Sequence, residues 1–236
     1  MRMARWLAPV LAVTVAAPAM AQYQSPQGIQ FVSATPYGST APYKFGVYQG
    51  PYQLQLLGEP GQPTIDAFCV DFDHFVNPTW TANITGVGAG DLTGTRQWAL
   101  YGNADMVQAR YQAAAWLATQ MMTRPNNEWW QYHGAIWKIM SGPTLTSSDA
   151  FYAPFSGLST ADKGLVQTLA QQALNVGYQS IDPDEWAVIT PTNMQYATSS
   201  QEFITRNVVP EPATVILLGS GLLCLGLVGY FRKGAV

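Results

Sequence analysis

Residues 65–75 read IDAFCVDFDHF, and this stretch sets the pattern for the first half of the chain. Apolar and polar side chains alternate along it, which is typical of a β-strand with two different faces. The alternation places Cys69, Asp71 and Asp73 on one face, and Val70 with the aromatic side chains on the other. We therefore predict a strand over this whole stretch.

The segments around it repeat the period of two. Residues 43–48 (YKFGVY) and 52–56 (YQLQL) alternate in the same way, and Gly50–Pro51 between them is a turn signal, so we predict a hairpin. Further strands are predicted at 29–32, 80–87, 186–190 and 202–204.

The middle of the chain has the period of a helix. Apolar residues predict one helix at 106–122, a second that follows a cap at Asn127, and a third that follows a cap at Ser159 or Thr160. Strands, then helices, then strands favour an α+β fold over alternating βαβ units. We predict a β-rich exported domain with a helical insert of about three helices.

The C-terminal segment predicts a membrane span. Residues 213–231 carry no charge, and at about 1.5 Å per residue they approach the roughly 30 Å of a bilayer core. Arg232 and Lys233 follow the span and are expected to stay cytoplasmic. Everything before the span is then expected on the far side of the membrane.

The N-terminal segment, residues 1–21, has the features of a secretory signal peptide. Two arginines precede a short apolar run, and Ala19–Met20–Ala21 is a small-x-small cleavage site, so we predict export by the Sec translocon and a cut by signal peptidase before Gln22. An uncleaved anchor is the alternative. Residues 22–208 then form the exported domain, and residues 209–236 form the C-terminal segment.

Pro210, Glu211 and Pro212, the apolar span and the basic end together resemble the PEP-CTERM sorting signal of Gram-negative bacteria. The resemblance implies that exosortase recognises the signal in the membrane and cuts near Pro-Glu-Pro. The domain is then expected at the cell surface or in the extracellular matrix. The alternative is an ordinary single-span anchor.

Composition argues against several functions. Fourteen acidic and eleven basic residues give a net charge of −3, and no basic cluster lies in the exported domain, which argues against nucleic acid as a partner. The sequence contains no phosphate-binding loop, no Gly-x-Ser-x-Gly, no His-Glu-x-x-His and no Cys/His spacing for zinc. We predict a non-enzymatic domain without a cofactor, and a secreted hydrolase is the weaker alternative.

Cys69 has no possible disulfide partner in the exported domain, because Cys224 lies in the predicted span. The motif FCVDF around Cys69, with YQAAAWL at 111–117 and HGAIW at 133–137, resembles the thioester-domain family of bacterial surface adhesins. That resemblance implies an internal Cys–Gln thioester that acylates a nucleophile on another surface. His133 stands where the glutamine is expected, and a histidine has no acyl group to supply.

Several interpretations of Cys69 stay open. Gln112 or Gln131 could replace the missing acyl donor, Cys69 and His133 could form a thiolate–imidazolium pair, or Cys69 could be a buried apolar side chain.

Two other groups of residues have alternative interpretations. Asp71 and Asp73 are weak candidates for a metal site, and two solvated carboxylates are the favoured interpretation. Four tryptophans at helical spacing are expected in the core, and the alternative is a platform for a matrix polysaccharide; they are Trp116, Trp129, Trp130 and Trp137.

Overall fold

The computed structural model describes residues 25–34, 43–44, 47–72, 74–88, 91–141, 158–194 and 199–206. Residues Tyr23–Val208 form one compact unit. The predicted signal peptide and the predicted span at 213–231 lie outside the described residues. Among the helices in the described ranges, none combines the length and apolar character needed to cross a membrane.

The described chain contains eight strands and four α-helices. The strands are β1 (Gln27–Ser33), β2 (Tyr43–Lys44), β3 (Val47–Tyr48), β4 (Tyr52–Leu56), β5 (Thr64–Cys69), β6 (Thr79–Gly86), β7 (Trp186–Pro191) and β8 (Phe203–Arg206). The helices are α1 (Arg96–Tyr101), α2 (Ala104–Met122), α3 (Trp129–Met140) and α4 (Thr160–Asn175), all between β6 and β7. The α+β class and the position of the helical insert agree with the prediction, and the insert has four α-helices rather than about three.

Six of the strands close into an antiparallel barrel in the order β1-β4-β5-β8-β7-β6, and β2 and β3 form a separate two-stranded sheet. β8 pairs with β5 on one side and β7 on the other, through Ala67 opposite Thr205 and Ile189 opposite Phe203. The last described strand therefore closes the barrel, and a closed barrel leaves no open edge.

The helical insert packs on the outside of this barrel wall. Every residue of β7 is buried, so both faces of the strand are covered. Alternation directs Ile189 inward and Val188 outward, and α2 packs against β7 and β8. The domain thus has one continuous core with a barrel interior and a layer between barrel and helices.

The predicted strand at 65–75 is too long. β5 ends at Cys69, and the chain then bends so that the Asp71 carboxylate contacts the imidazole of His74 three residues later. The strand pairing with β8 ends at Cys69 opposite Phe203, and within the described part of the chain only one further backbone hydrogen bond, from the N–H of Val70 to the carbonyl oxygen of Glu202 at 3.0 Å, continues it.

Candidate functional site

Cys69 lies at the end of β5, opposite Phe203 of β8, and its side chain is fully buried. The thiol donates a hydrogen bond to the carbonyl oxygen of Asp71 at 3.1 Å. Burial, followed by the nearby Asp71 carboxylate, raises the pKa of the Cys69 thiol well above its ordinary value. The side chain is therefore a neutral thiol, and neutral thiols are poor nucleophiles.

His133 of α3 faces the end of β5, as the two sequence motifs imply. The backbone N–H of Gly50 donates to Nδ1 of His133 at 2.9 Å, so the ring proton must lie on Nε2. Nε2 lies 2.9 Å from the carbonyl oxygen of Cys69 and donates to it. The histidine thus bridges the turn before β4 and the end of β5.

The charge state of His133 follows from its burial. Burial lowers the pKa of His133 from 6.5 to about 4, so the ring is neutral at physiological pH. Its contact with Cys69 is to the backbone oxygen, and the thiol itself is also neutral. A thiolate–imidazolium pair is therefore not supported by the geometry.

The geometry gives no support to either glutamine as the missing acyl donor. The side-chain amide of Gln112 donates to the carbonyl oxygens of Ile181 at 3.0 Å and Tyr178 at 3.4 Å, so it is held by the segment after α4. Gln131 precedes His133 by two residues on α3, and residues two apart on a helix do not share a face.

The neutrality of His133 predicts loss of stability in acid. Between pH 6.5 and pH 4 the unfolded chain binds a proton at this residue and the folded chain does not, so the free energy of unfolding falls as the pH falls. The loss reaches about 3 kcal/mol at the lower end of this window. Urea unfolding of the wild type and of His133→Asn at several pH values measures it.

The asparagine variant is the control, because its side-chain oxygen can still accept from Gly50 while it cannot titrate. The difference in unfolding free energy between the two proteins should shrink as the pH falls from 6.5 to 4. A constant difference would contradict the buried, neutral assignment. All other titrating groups are common to both proteins.

Asp71 belongs to an ion-pair cluster rather than to a strand face. Its carboxylate lies 2.7 Å from Nδ1 of His74 and 2.8 Å from Nε of Arg96. Nη1 of Arg96 lies 3.3 Å from Nε2 of His74, and an arginine can only donate, so His74 carries its proton on Nδ1.

The other residue of the predicted metal site, Asp73, lies outside the described residues. Within the described ranges, no three His, Cys, Asp or Glu side chains are grouped so as to hold a metal ion.

Glu202 completes this cluster, and the sequence analysis missed it. The fully buried carboxylate accepts from the hydroxyl of Tyr111 at 2.6 Å, the hydroxyl of Thr190 at 2.9 Å and the backbone N–H of Arg96 at 3.0 Å. Burial raises the pKa of Glu202 above its ordinary value. We call Asp71, His74, Arg96 and Glu202 the Arg96 cluster.

The Arg96 cluster ties the segment before β8 to the helical insert. Nη2 of Arg96 donates to the carbonyl oxygen of Ser200 at 2.9 Å, and the backbone N–H of Asn77 donates to the hydroxyl of Ser200 at 3.1 Å. Sequence reasoning had no signal for these bonds, because the partners are more than a hundred residues apart.

The tryptophans form part of the core, as expected. Trp129, Trp130 and Trp137 are buried, and the ring of Trp137 lies 4.3 Å from the ring of His133. Trp116 is half-buried and packs against Gly177. The alternative of an exposed tryptophan platform for polysaccharide is wrong.

The remaining candidate residues belong to the two terminal segments. Ala19, Ala21, Pro210, Glu211, Pro212, Arg232 and Lys233 all lie outside the described residues. Their roles stay predictions from sequence.

Comparison with protein families identifies the C-terminal segment. Residues 208–233 match the family described as the PEP-CTERM protein-sorting motif. The resemblance noted from Pro-Glu-Pro, the apolar span and the basic end is thereby confirmed. No curated protein matches the chain.

Two solved structures are similar to the domain. The N-terminal domain of the Streptococcus pyogenes pilus tip adhesin Cpa has a TM-score of 0.51 and 13% identity, over 81% of this chain and 98% of that one. The N-terminal thioester domain of the fibronectin-binding protein SfbI from Streptococcus pyogenes has a TM-score of 0.47 and 10% identity, over 78% of this chain and 95% of that one. At 13% identity, the similarity to the Cpa domain shows a shared fold and nothing about activity. This chain therefore carries a PEP-CTERM protein-sorting motif at residues 208–233, on a domain with the fold of a streptococcal adhesin domain.

Proposed function

We propose that the chain is an exported protein that exosortase recognises and cuts near Pro210–Glu211–Pro212. The Sec translocon and signal peptidase act first, residues 213–231 hold the precursor briefly in the membrane, and the cut sends the domain to the cell surface or the extracellular matrix. The sorting motif at residues 208–233 supports this sequence of steps. The basic pair after the span supports the proposed orientation.

We propose further that the domain is non-enzymatic and attaches to its partner without a covalent bond. The observation that carries this proposal is the state of His133, which occupies the acyl-donor position of the thioester-type motif. Both of its ring nitrogens are engaged by backbone groups, of Gly50 and Cys69, and it has no acyl group. The domain shares its fold with a streptococcal adhesin domain, and its motif at residues 133–137 has a histidine where an internal thioester needs a glutamine.

Cell fractionation with two antibodies tests the sorting proposal. One antibody recognises the domain, and the other recognises the last residues after the apolar span. We expect the domain at the surface or in the medium without the C-terminal epitope, and both epitopes together only in a minor membrane-bound precursor. Both epitopes on all of the surface protein would show a permanent anchor instead.

A further inference from the structure

A cavity of about 460 Å³ lies beside the Arg96 cluster, between the segment that follows β5, helix α1 and the end of α3. Its volume falls within the range of small-molecule sites, which is about 300–1,000 Å³. Asp71, His74, Arg96 and Glu202 all line it, and so does the side chain of Gln97. The cavity thus combines polar groups from distant parts of the chain.

The charges that line the cavity are already compensated. Asp71 is paired with Arg96 at 2.8 Å, and the Glu202 carboxylate receives three hydrogen bonds from Tyr111, Thr190 and the backbone of Arg96. An ionic ligand would have to displace one of these contacts, and the partner left behind would then be buried and unpaired. The balance of charge favours an uncharged ligand.

Within the part of the chain that the structure describes, one hydrogen-bonding group of Gln97 has no partner. Its amide nitrogen donates to the carbonyl oxygen of Met140 at 2.7 Å, and only 3% of the residue is exposed. Its amide oxygen is buried and has no hydrogen-bond partner among the described residues. A buried acceptor without a partner is unfavourable, so a ligand that donates a hydrogen bond there would be favoured.

Two exposed apolar side chains line the same cavity. Leu100 is 52% exposed and Met194 is 39% exposed, and both line the cavity. Apolar side chains that gather beside polar groups are a feature of ligand sites.

We propose that this cavity binds a neutral saccharide. Sugar hydroxyls can donate a hydrogen bond to the Gln97 oxygen, and they carry no charge that would compete with the ion pairs of the Arg96 cluster. The C–H faces of a sugar ring suit the cavity-lining side chains of Leu100 and Met194. This inference names a ligand class for the non-covalent attachment proposed above and rests on it.

The test uses the full chain in a zwitterionic detergent, which has no sugar head group. Saturation-transfer NMR and calorimetry compare maltotriose, cellotriose and the trimer of N-acetylglucosamine with the charged trimer of galacturonic acid. We expect at least one neutral trisaccharide to bind more tightly than the charged one. The variant Gln97→Leu should weaken that binding about five-fold, as expected for one lost hydrogen bond.

A matched pair of surface variants guards against misfolding. Leu100→Ser changes an exposed side chain at the cavity and should weaken binding. Val176→Ser changes a side chain that is 66% exposed and does not line the cavity, so it should bind as the wild type does. The inference is overturned if no neutral trisaccharide binds, if the charged trimer binds equally well, or if Leu100→Ser and Gln97→Leu bind normally. The assay does not depend on cleavage of the sorting motif, so its failure and a failure of sorting are separate results.

Discussion

Gly50→Ala is expected to destabilise the domain by about 3–5 kcal/mol. Gly50 has a φ of +122°, where residues with a side chain are strained. A Cβ atom there would lie 2.5 Å from Cε3 of Trp129, which is buried and cannot move aside without disturbing α3. The same turn holds the N–H group that binds His133, so the strain acts directly on the contact between barrel and insert. Urea unfolding measures the loss.

Gly61→Ala is the matched control. Gly61 also has a positive φ, +76°, and nothing lies within 4 Å of the Cβ position. We expect it to cost about 1 kcal/mol, from the backbone conformation alone. If both variants lose the same unfolding free energy, the close contact with Trp129 does not contribute to the cost of Gly50→Ala.

Replacing Pro210, Glu211 and Pro212 together by alanine is expected to abolish processing almost completely. We propose that the motif at residues 208–233 marks the chain for sorting, and the triple change removes its most distinctive residues while it leaves the apolar span intact. Immunoblots of whole cells and medium should show a larger, membrane-bound precursor in place of the mature domain.

The control for this prediction keeps the charge and the motif. Arg232→Lys with Lys233→Arg preserves both positive charges after the span and should be processed as the wild type is. If the triple alanine variant is cut and released at the wild-type rate, the motif does not direct the processing of this chain.

Local patterns predicted where strands and helices lie better than where they end or which strands pair. The predicted hairpin of residues 43–48 with residues 52–56 is wrong, because β2 pairs with β3, whereas β4 pairs with β1 and β5. Alternation at 52–56 predicted β4, and Ser159 does cap α4, with its hydroxyl accepting from the N–H of Asp162. The cap expected at Asn127 is wrong, because residues 126–128 form a 3₁₀ turn and α3 begins at Trp129 without a side-chain cap. A turn of this kind depends on how the helix packs, which a local pattern does not contain.

The part of the candidate site that carries a recognisable sequence motif was predictable, and the rest was not. The two motifs around Cys69 and His133 implied that these residues meet, and the structure places them together. The Arg96 cluster joins residues from the segment after β5, from α1 and from the segment before β8, and no periodicity links them. Closure of the barrel by β8 is likewise a long-range pairing that the sequence does not reveal.

Intact mass spectrometry of the mature protein, before and after treatment with methylamine, tests the non-covalent proposal most directly. We expect a mass that equals the sequence from Gln22 to a cut near Pro210–Glu211–Pro212, with one free thiol at Cys69 and no change on methylamine treatment. A mass lower by one ammonia, with methylamine then added at a glutamine, would mean that an internal thioester forms despite His133. That result would contradict the proposed attachment without a covalent bond.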